Sequence, residues 1–480
     1  MNPAQPENFQ SHNPATGEVL WEGPAASAAD VDAAFRAAAA AFPAWSRLSL
    51  AERSTVAERF KSLLERDKTR LARLISDETG KPNWECLTEV AAMIGKLAVS
   101  LSAYAQRCSE NSQPMPGGLA HSITRWRPIG PMAVFGPFNL PMHLPNGHII
   151  PALLAGNTLV FKPSEQTPAC GEAMVKLWTE AGLPDGVLNL VQGARDTGVA
   201  LTAHPSSHGV LFTGSYPTGA AIHKALAGQP EKMLALEMGG NNPLVVWQVA
   251  DFKAAAHLII QSAFISSGQR CVCARRLILP SGPEGDQVLV ELLHQCSGIR
   301  VGLPRDEAEP FMGPLISAAS AQHLLKAQSL LLTQGARSLL TMAPQPRCPA
   351  LLSPGIIDVT AVPERLDHEF FGPLLQVIRV PDFAAALEEA NDTAFGLAAG
   401  LISDSAELYA EFRASSNAGI VNWNRQITGA SSSAPFGGTG KSGNFRPGAF
   451  LAADYCATPV ASIEAPKVEV PSLCPGLELK

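Results

Sequence analysis

Charge is scarce in this sequence, and so are long apolar runs. Only 16% of the 480 residues are Asp, Glu, Lys or Arg, and the net charge is −7 with a pI near 5.9. That balance offers no basic patch for a phosphate backbone, so a nucleic-acid partner is not expected. No uninterrupted apolar run reaches the ~18 residues that span a bilayer, so no membrane partner is expected either. The opening "MNPAQPENFQSHNPATGEVLWEG" lacks the basic stretch and apolar core of an export signal. Nine cysteines, an odd and scattered set, make no disulfide framework, and free thiols fit a cytoplasmic location. Internal repeats are absent, and the one biased tract is an alanine-rich helix near residue 37.

What is present is apolar residue content of 46%, enough to bury two or three cores over this length. The first hundred residues read as helices; "SLAERSTVAERFKSLLERDKTRLARLI" opens with Ser49 and Glu52 at capping-box spacing and puts Val56, Phe60, Leu63 and Leu64 on one face. From residue 132 short apolar runs, "MAVF", "TLVF", "VLNLV" and "GVLF", alternate with helical stretches, the pattern of a parallel sheet covered by helices. The alternation restarts near residue 237, where a domain boundary is expected, and "GIVNWN" near residue 420 reads as one more buried strand.

Two glycine motifs compete. Gly438, Gly440 and Gly443 in "GGTGKSG" match G-x-G-x-x-G, but "NFRPGAF" follows where a helix is required, so a structural turn is expected. In "LFTGSYPTGAAIHKALA" a strand ends at Thr213, Gly214 and Ser215 turn the chain, and a helix begins near Pro217. The free N–H groups of that helix end suit a phosphate.

"SSGQRCVCARR" sets Cys271 and Cys273 two apart. A free cysteine usually just packs. Zinc is disfavoured, because C-x-C is too short for a knuckle and His257 stands alone, so no metal site is expected. A catalytic thiol requires a lowered pKa or a base, and donors for an oxyanion. Arg270, Arg275 and Arg276 are expected to favour a Cys271 thiolate, and Cys273, nearer the apolar "LIL", to pack.

Six motifs resemble those of the NAD(P)-dependent aldehyde dehydrogenase superfamily, in its order and over nearly the whole chain. They are "PFNLP" with Asn139, "FKPSE" with Lys162 and Glu165, "GSYPTG" (Gly214, Ser215, Tyr216, Pro217, Thr218 and Gly219), "LEMGG" with Glu237, "FISSGQRC" with Cys271, and "EFFGP" with Glu369 and Phe371. The resemblance implies an α/β fold with a Rossmann-type NAD-binding domain (1–112 and 132–237), an α/β catalytic domain (238–425), a return segment (426–455) and a small β oligomerisation arm (113–131 and 456–480). It implies that Cys271 adds to an aldehyde, Asn139 steadies the oxyanion, hydride passes to the cofactor, and Glu237 activates the water that hydrolyses the thioester. Lys162 and Glu165 would hold the adenosine ribose, and a carboxylate there favours NAD over NADP. Glu369 and Phe371 would lie near the nicotinamide ribose. A homodimer or homotetramer is implied.

Phe138, His148, Asn241 and Ser266 depart from the general pattern (tryptophan, lysine, lysine and asparagine respectively) and resemble the branch that oxidises N-succinylglutamate 5-semialdehyde in arginine degradation. Such an anionic aldehyde calls for cationic donors, and Arg270 and Arg425 are the expected anchors, with pairing to structural carboxylates as the alternative for either. Oxidation of another semialdehyde, or a non-catalytic role, are the competing functions.

Overall fold

The computed structural model describes residues 8–116, 120–468 and 475–476. A hairpin of Asn8–His12 and Val19–Pro24 precedes four helices, Ala28–Arg47, Leu50–Arg66, Lys68–Thr79 and Asn83–Arg107. The hairpin departs from the all-helical expectation, its strands being short and mostly solvent-facing, so no clean alternation marks them. Ser49 forms the capping box that its spacing predicts, accepting the Glu52 N–H at 3.2 Å while the Glu52 carboxylate takes the Ser49 N–H at 2.7 Å. Val56, Phe60 and Leu64 are buried as expected and Leu63 partly so. The helix Asn83–Arg107 is long and apolar enough to cross a membrane by length and composition. Its Cys86, Val90, Met93 and Leu97 pack inside the first core, and it turns Glu85, Glu89 and Lys96 inward as well.

Five parallel strands follow: Pro131–Phe135, Thr158–Lys162, Leu188–Leu190, Gly209–Gly214 and Met233–Met238. Numbered by chain order, they lie side by side as 3-2-1-4-5. That is the doubly wound order, and its ligand crevice opens where the order reverses, beyond the carboxyl ends of the first and fourth strands. Those ends are Phe135 and Gly214, so the crevice falls between residues 136–139 and the turn that starts the helix Tyr216–Ala225.

A second sheet of seven strands begins at Asn242–Val246. Six of its strands are parallel, and only Arg337–Leu340 runs antiparallel, at one edge. Ile420–Trp423 closes the other edge, a strand as expected but half-buried rather than buried, because it has a neighbour on one side alone. The chain then returns to the first sheet. Gly443 bridges to Glu237, Gly448–Ala449 pairs with Pro435–Phe436, and the short helix Ala452–Cys456 packs on the helices His143–Ala155 and Asn83–Arg107. "GGTGKSG" is a structural turn. Thr439–Gly440 pairs with Phe395–Gly396, and Ser442 Oγ donates to the Gly239 carbonyl at 2.7 Å.

Ala457–Glu464, His121–Pro128 and Asn111–Pro114 make a separate antiparallel three-stranded sheet. It starts at Asn111 rather than 113, and Pro131 already belongs to the five-stranded sheet. Residues 117–119, 469–474 and 477–480 of the expected arm lie outside the described residues.

Candidate active site

Cys271 stands in the loop between the helix Phe252–Phe264 and the strand Ala274–Pro280. The chain reaches it through three successive left-handed residues, Ser266 (φ 54°), Ser267 (φ 52°) and Gly268 (φ 73°). Two non-glycine residues in that region cost about 1–3 kcal/mol each, so the surroundings must impose the turn. Ser266 Oγ donates to buried Glu85 and accepts from Arg270 Nε at 2.7 Å. Ser267 Oγ donates to the Gly313 carbonyl at 2.6 Å, and Arg275 Nη1 donates to that of Gly268 at 2.7 Å. A side chain on Gly268 would put its Cβ 2.1 Å from the Gly372 oxygen. Beyond the turn, Asn242 Nδ2 donates to both the Cys271 and Cys273 carbonyls, at 2.7 and 2.9 Å. Cys273 is fully buried with Sγ on the Ile265 carbonyl, as a packing residue.

The three arginines correct the expectation of an activated thiolate. Arg270 pairs with Glu85 at 2.9 Å. Arg276 spends its guanidinium on the carbonyls of Asn241, Glu389 and Ala390. Arg275 serves the carbonyls of Gly268, Arg270 and Gly372 and approaches Glu369 at 3.8 Å. The Cys271 thiol is instead pushed up to about 12, first by burial and then by the negative charges of Glu369 and Glu237, with Arg275 opposing. Flanking position supplied the charges; carbonyl and carboxylate partners captured them.

Glu237 ends the strand Met233–Met238 and is buried, its Oε1 accepting the Gly448 N–H at 2.9 Å. Oε2 has no partner among the described residues. Burial holds this carboxyl well above the usual range, with the Gly448 bond opposing. Asn139, buried beyond the first strand of that sheet, donates from Nδ2 to the Gln269 carbonyl at 3.0 Å, which sets its amide beside the Cys271 loop. Lys81 fixes the Asn139 backbone carbonyl at 2.7 Å and pairs with Glu89 at 2.6 Å.

Cys271, Glu237 and Asn139 lie where two cavities meet. One, about 690 Å³, occupies the doubly wound crevice and is lined by Lys162, Glu165, Gly214, Ser215, Tyr216, Pro217, Thr218, Glu369 and Phe371. Gly219 stands behind it; a Cβ there would fall 2.4 Å from Met238 Sδ, so its bareness lets helix and strand pack closely. Lys162 Nζ is held by the Gly193 carbonyl at 2.5 Å and lies 3.6 Å from exposed Glu165. Glu369 is pushed up to about 7 by burial, against Arg275 and the Gly240 N–H, and its Oε1 has no hydrogen-bond partner among the described residues. Gly239 faces that carboxylate so closely that a Cβ would sit 1.8 Å from it. Phe371 stacks edge-on against Phe138 and takes the Arg275 guanidinium over its face at 5.4 Å.

The second cavity, about 240 Å³, runs from the same three residues to Glu89, Lys96, His143, His148, Thr428 and Ser431–Ser432. Arg270 lines it, already bound to Glu85. Arg425 is exposed and lines neither cavity. His148 bridges Tyr455 Oη at 3.0 Å and Thr213 Oγ1 at 2.9 Å, and burial pushes it down to about 3, so it is a neutral link. Sequence reasoning missed Asn242, Glu85 and Lys96. Asn242 stands two residues after the "GG" of a motif that had drawn attention to Glu237, while Glu85 and Lys96 sit in a helix whose apolar pattern gives no sign of a site.

A thiol, a buried carboxylate and an amide thus meet at the mouth of the doubly wound crevice, and the family follows. Residues 1–457 match the model of the aldehyde dehydrogenase family, and the chain belongs to it as an aldehyde dehydrogenase. It is 57% identical to an N-succinylglutamate 5-semialdehyde dehydrogenase of Pseudomonas fluorescens over 99% of this chain and 97% of that one. Identity is also 57% to the enzyme of the same name from Chromobacterium violaceum, over 98% and 97%. Among solved structures it is similar to an NADP-dependent enzyme of E. coli (TM-score 0.90, 31% identity, 96% and 95% coverage). A succinate-semialdehyde dehydrogenase of Burkholderia pseudomallei gives TM-score 0.90 and 30% identity, covering 96% and 95%.

Proposed function

We propose that this chain oxidises N-succinyl-L-glutamate 5-semialdehyde to N-succinyl-L-glutamate with NAD, in arginine degradation by the succinyltransferase route. The observation that carries the chemistry is the meeting of Cys271, Glu237 and Asn139 between two cavities; full-length identity to enzymes of that name supports the substrate.

The larger cavity fits a dinucleotide. The helix Tyr216–Ala225 starts without a side-chain cap, so its first N–H groups are available to a pyrophosphate, and Glu369 lines the same space. Lys162 and Glu165 would hold the adenosine ribose, Glu165 repelling a 2′-phosphate, which is why NAD is preferred over NADP although a structural neighbour uses NADP. A bound nicotinamide supplies a hydride acceptor.

Because the resting Cys271 is a protonated thiol, its attack needs a base, and the raised Glu237 carboxylate on the same wall receives the proton. The second Asn139 amide proton and the Cys271 N–H stabilise the oxyanion of the resulting hemithioacetal. Once the thioester has formed and Glu237 has passed the thiol proton to solvent, its carboxylate takes a proton from the attacking water, and the tetrahedral adduct collapses to the acid with the Cys271 thiolate as leaving group; retention of this base argues for a hydrolytic rather than an acylating enzyme. The three-stranded sheet, with its exposed Asn111–Pro114 and Ala457–Glu464 edges, is read as the surface for homodimer or homotetramer assembly. The eight described cysteines are free thiols, in keeping with a cytoplasmic enzyme.

The test is NADH formation from N-succinylglutamate semialdehyde, with Cys271→Ala as control. Faster turnover of another semialdehyde at equal concentration would reassign the substrate.

A further inference from the structure

The smaller cavity contains a cation that pairs with no carboxylate among the described residues. Lys96 comes from the helix Asn83–Arg107, is 2% exposed, and lines this cavity together with Cys271. Its Nζ makes one hydrogen bond, to the Ala449 carbonyl at 2.8 Å, which leaves two of its three N–H donors without protein partners among the described residues. Of the other charges on the wall, Glu237 is the carboxyl that burial holds well above its usual range, without a cationic partner among the described residues, and the rest are paired. Lys81 neutralises Glu89, which also accepts the Met142 and His143 N–H groups, and Glu85 neutralises Arg270. Burying an ammonium without a counter-ion costs several kcal/mol. Holding the Ala449 carbonyl does not require that cost, since a neutral amide would serve. Burial pushes Lys96 down to about 8, which still leaves it mainly charged near neutral pH. Beside it Thr428, whose hydroxyl donates to the Gln261 carbonyl at 3.1 Å, Ser431 and Ser432 line the cavity, and buried His143 Nδ1 has no partner among the described residues.

We propose that Lys96 is the specificity-determining residue of this enzyme, receiving a carboxylate remote from the aldehyde carbon while that carbon lies at Cys271. The substrate class is thus an aldehyde acid, one of whose carboxylates meets the one cation of this wall that has no carboxylate partner among the described residues. The proposal rests on reading the site as that of an aldehyde dehydrogenase, and is independent of the succinyl group. Arg270 and Arg425 give up the anchoring role.

The experiment compares kcat/KM for succinic semialdehyde and for butanal, on the full-length enzyme with NAD, in the wild type, Lys96→Met and Lys96→Arg. Truncating one side of a buried charge pair costs 2–5 kcal/mol, so the preference for the acid should fall about 30-fold or more in Lys96→Met, chiefly through KM, and recover in part in Lys96→Arg. Calorimetry with glutarate and with its neutral diamide supplies a readout without turnover, and glutarate binding should weaken by a like factor. A preference unchanged within about threefold overturns the proposal, as does unchanged glutarate affinity in a variant too slow to assay. If Lys96→Met does not fold, Lys96→Gln, which still meets Ala449, takes its place. Failure of N-succinylglutamate semialdehyde to react would sink the proposed substrate and leave this comparison intact.

Discussion

Arg270→Leu separates a residue that touches substrate from one that holds the nucleophile turn. Glu85 is fully buried; its Oε1 meets Ser266 Oγ and Arg270 Nη2, and its Oε2 meets nothing among the described residues. Burial alone would raise this carboxyl, but Arg270 and Lys81 more than offset it and hold it below the usual range. Removing the guanidinium leaves the charge uncompensated, at a cost of about 3–5 kcal/mol. Unfolding entropy near 2.1 cal/mol/K per residue gives about 1 kcal/mol/K for a chain of this length, so Tm should fall by about 3–5 °C. Calorimetry at fixed scan rate and protein concentration measures it. The sign of the pH dependence should also reverse. In the wild type, Glu85 has a depressed folded pKa, so its contribution is present above the unfolded value and is lost as pH falls through the folded one. In the variant the carboxyl is raised, so acidification from pH 7 to 5 should increase Tm relative to the wild type. Arg270→Leu with Glu85→Leu should regain most of the loss, through a coupling of about 2 kcal/mol or more. An unchanged Tm, together with a tenfold higher KM for the anionic aldehyde, would refute this reasoning and return Arg270 to the substrate.

Glu237→Gln should lower kcat by about 10²–10⁴ and remove the acid limb of kcat/KM, which in the wild type lies above the ordinary carboxylate range and rises with pH as Glu237 ionises. The pre-steady-state burst of NADH should slow as well; a burst of undiminished rate would confine Glu237 to hydrolysis. Asn139→Ala should cost about 10²–10³ in kcat with little change in KM, as expected for an oxyanion donor, and a pure KM effect would deny it that role. Gly219→Ala drives a Cβ against Met238 Sδ and should raise KM for NAD several-fold; unchanged coenzyme binding would mean the helix accommodates the methyl freely. In the cofactor-free enzyme, iodoacetamide should alkylate Cys271 on the order of 10²-fold more slowly at pH 8 than an ordinary thiol. That figure combines the small thiolate fraction of a group at about 12 with its greater intrinsic nucleophilicity. Alkylation at the ordinary rate would restore the arginine-activated thiolate.

The frame of the site was legible because each part of it has a local signature. A capping box announces itself by spacing, and Ser49 with Glu52 forms it. Fully buried parallel strands appear as unbroken apolar runs, so "MAVF", "TLVF" and "GVLF" all lie in the five-stranded sheet. The turn at Gly214 was readable for the same reason: a strand, a glycine and a proline-started helix follow one another within a few residues. The N-terminal hairpin had no such mark, since its exposed strands bury one stripe too weakly to set a period.

Direction was not legible, and the cationic residues show why. A guanidinium on a long stem reaches whichever buried acceptor the fold brings near, and that acceptor can be remote in sequence: Glu85 for Arg270, Glu389 for Arg276. Adjacency to Cys271 therefore said nothing about the field at its sulfur, where two carboxylates outweigh the one arginine that acts. Lys96 is the converse case. It lies 175 residues before the nucleophile in a helix that reads as core, yet it reaches the nucleophile's cavity. An isolated charge on an apolar helix face is costly unless something meets it, and here the described residues provide only a carbonyl. The residue that sequence proximity would choose as an anion anchor is neutralised, and the one it would pass over retains its charge in the cavity; in a protein of parallel sheets joined by long crossovers, a site is assembled by topology before it is assembled by motif.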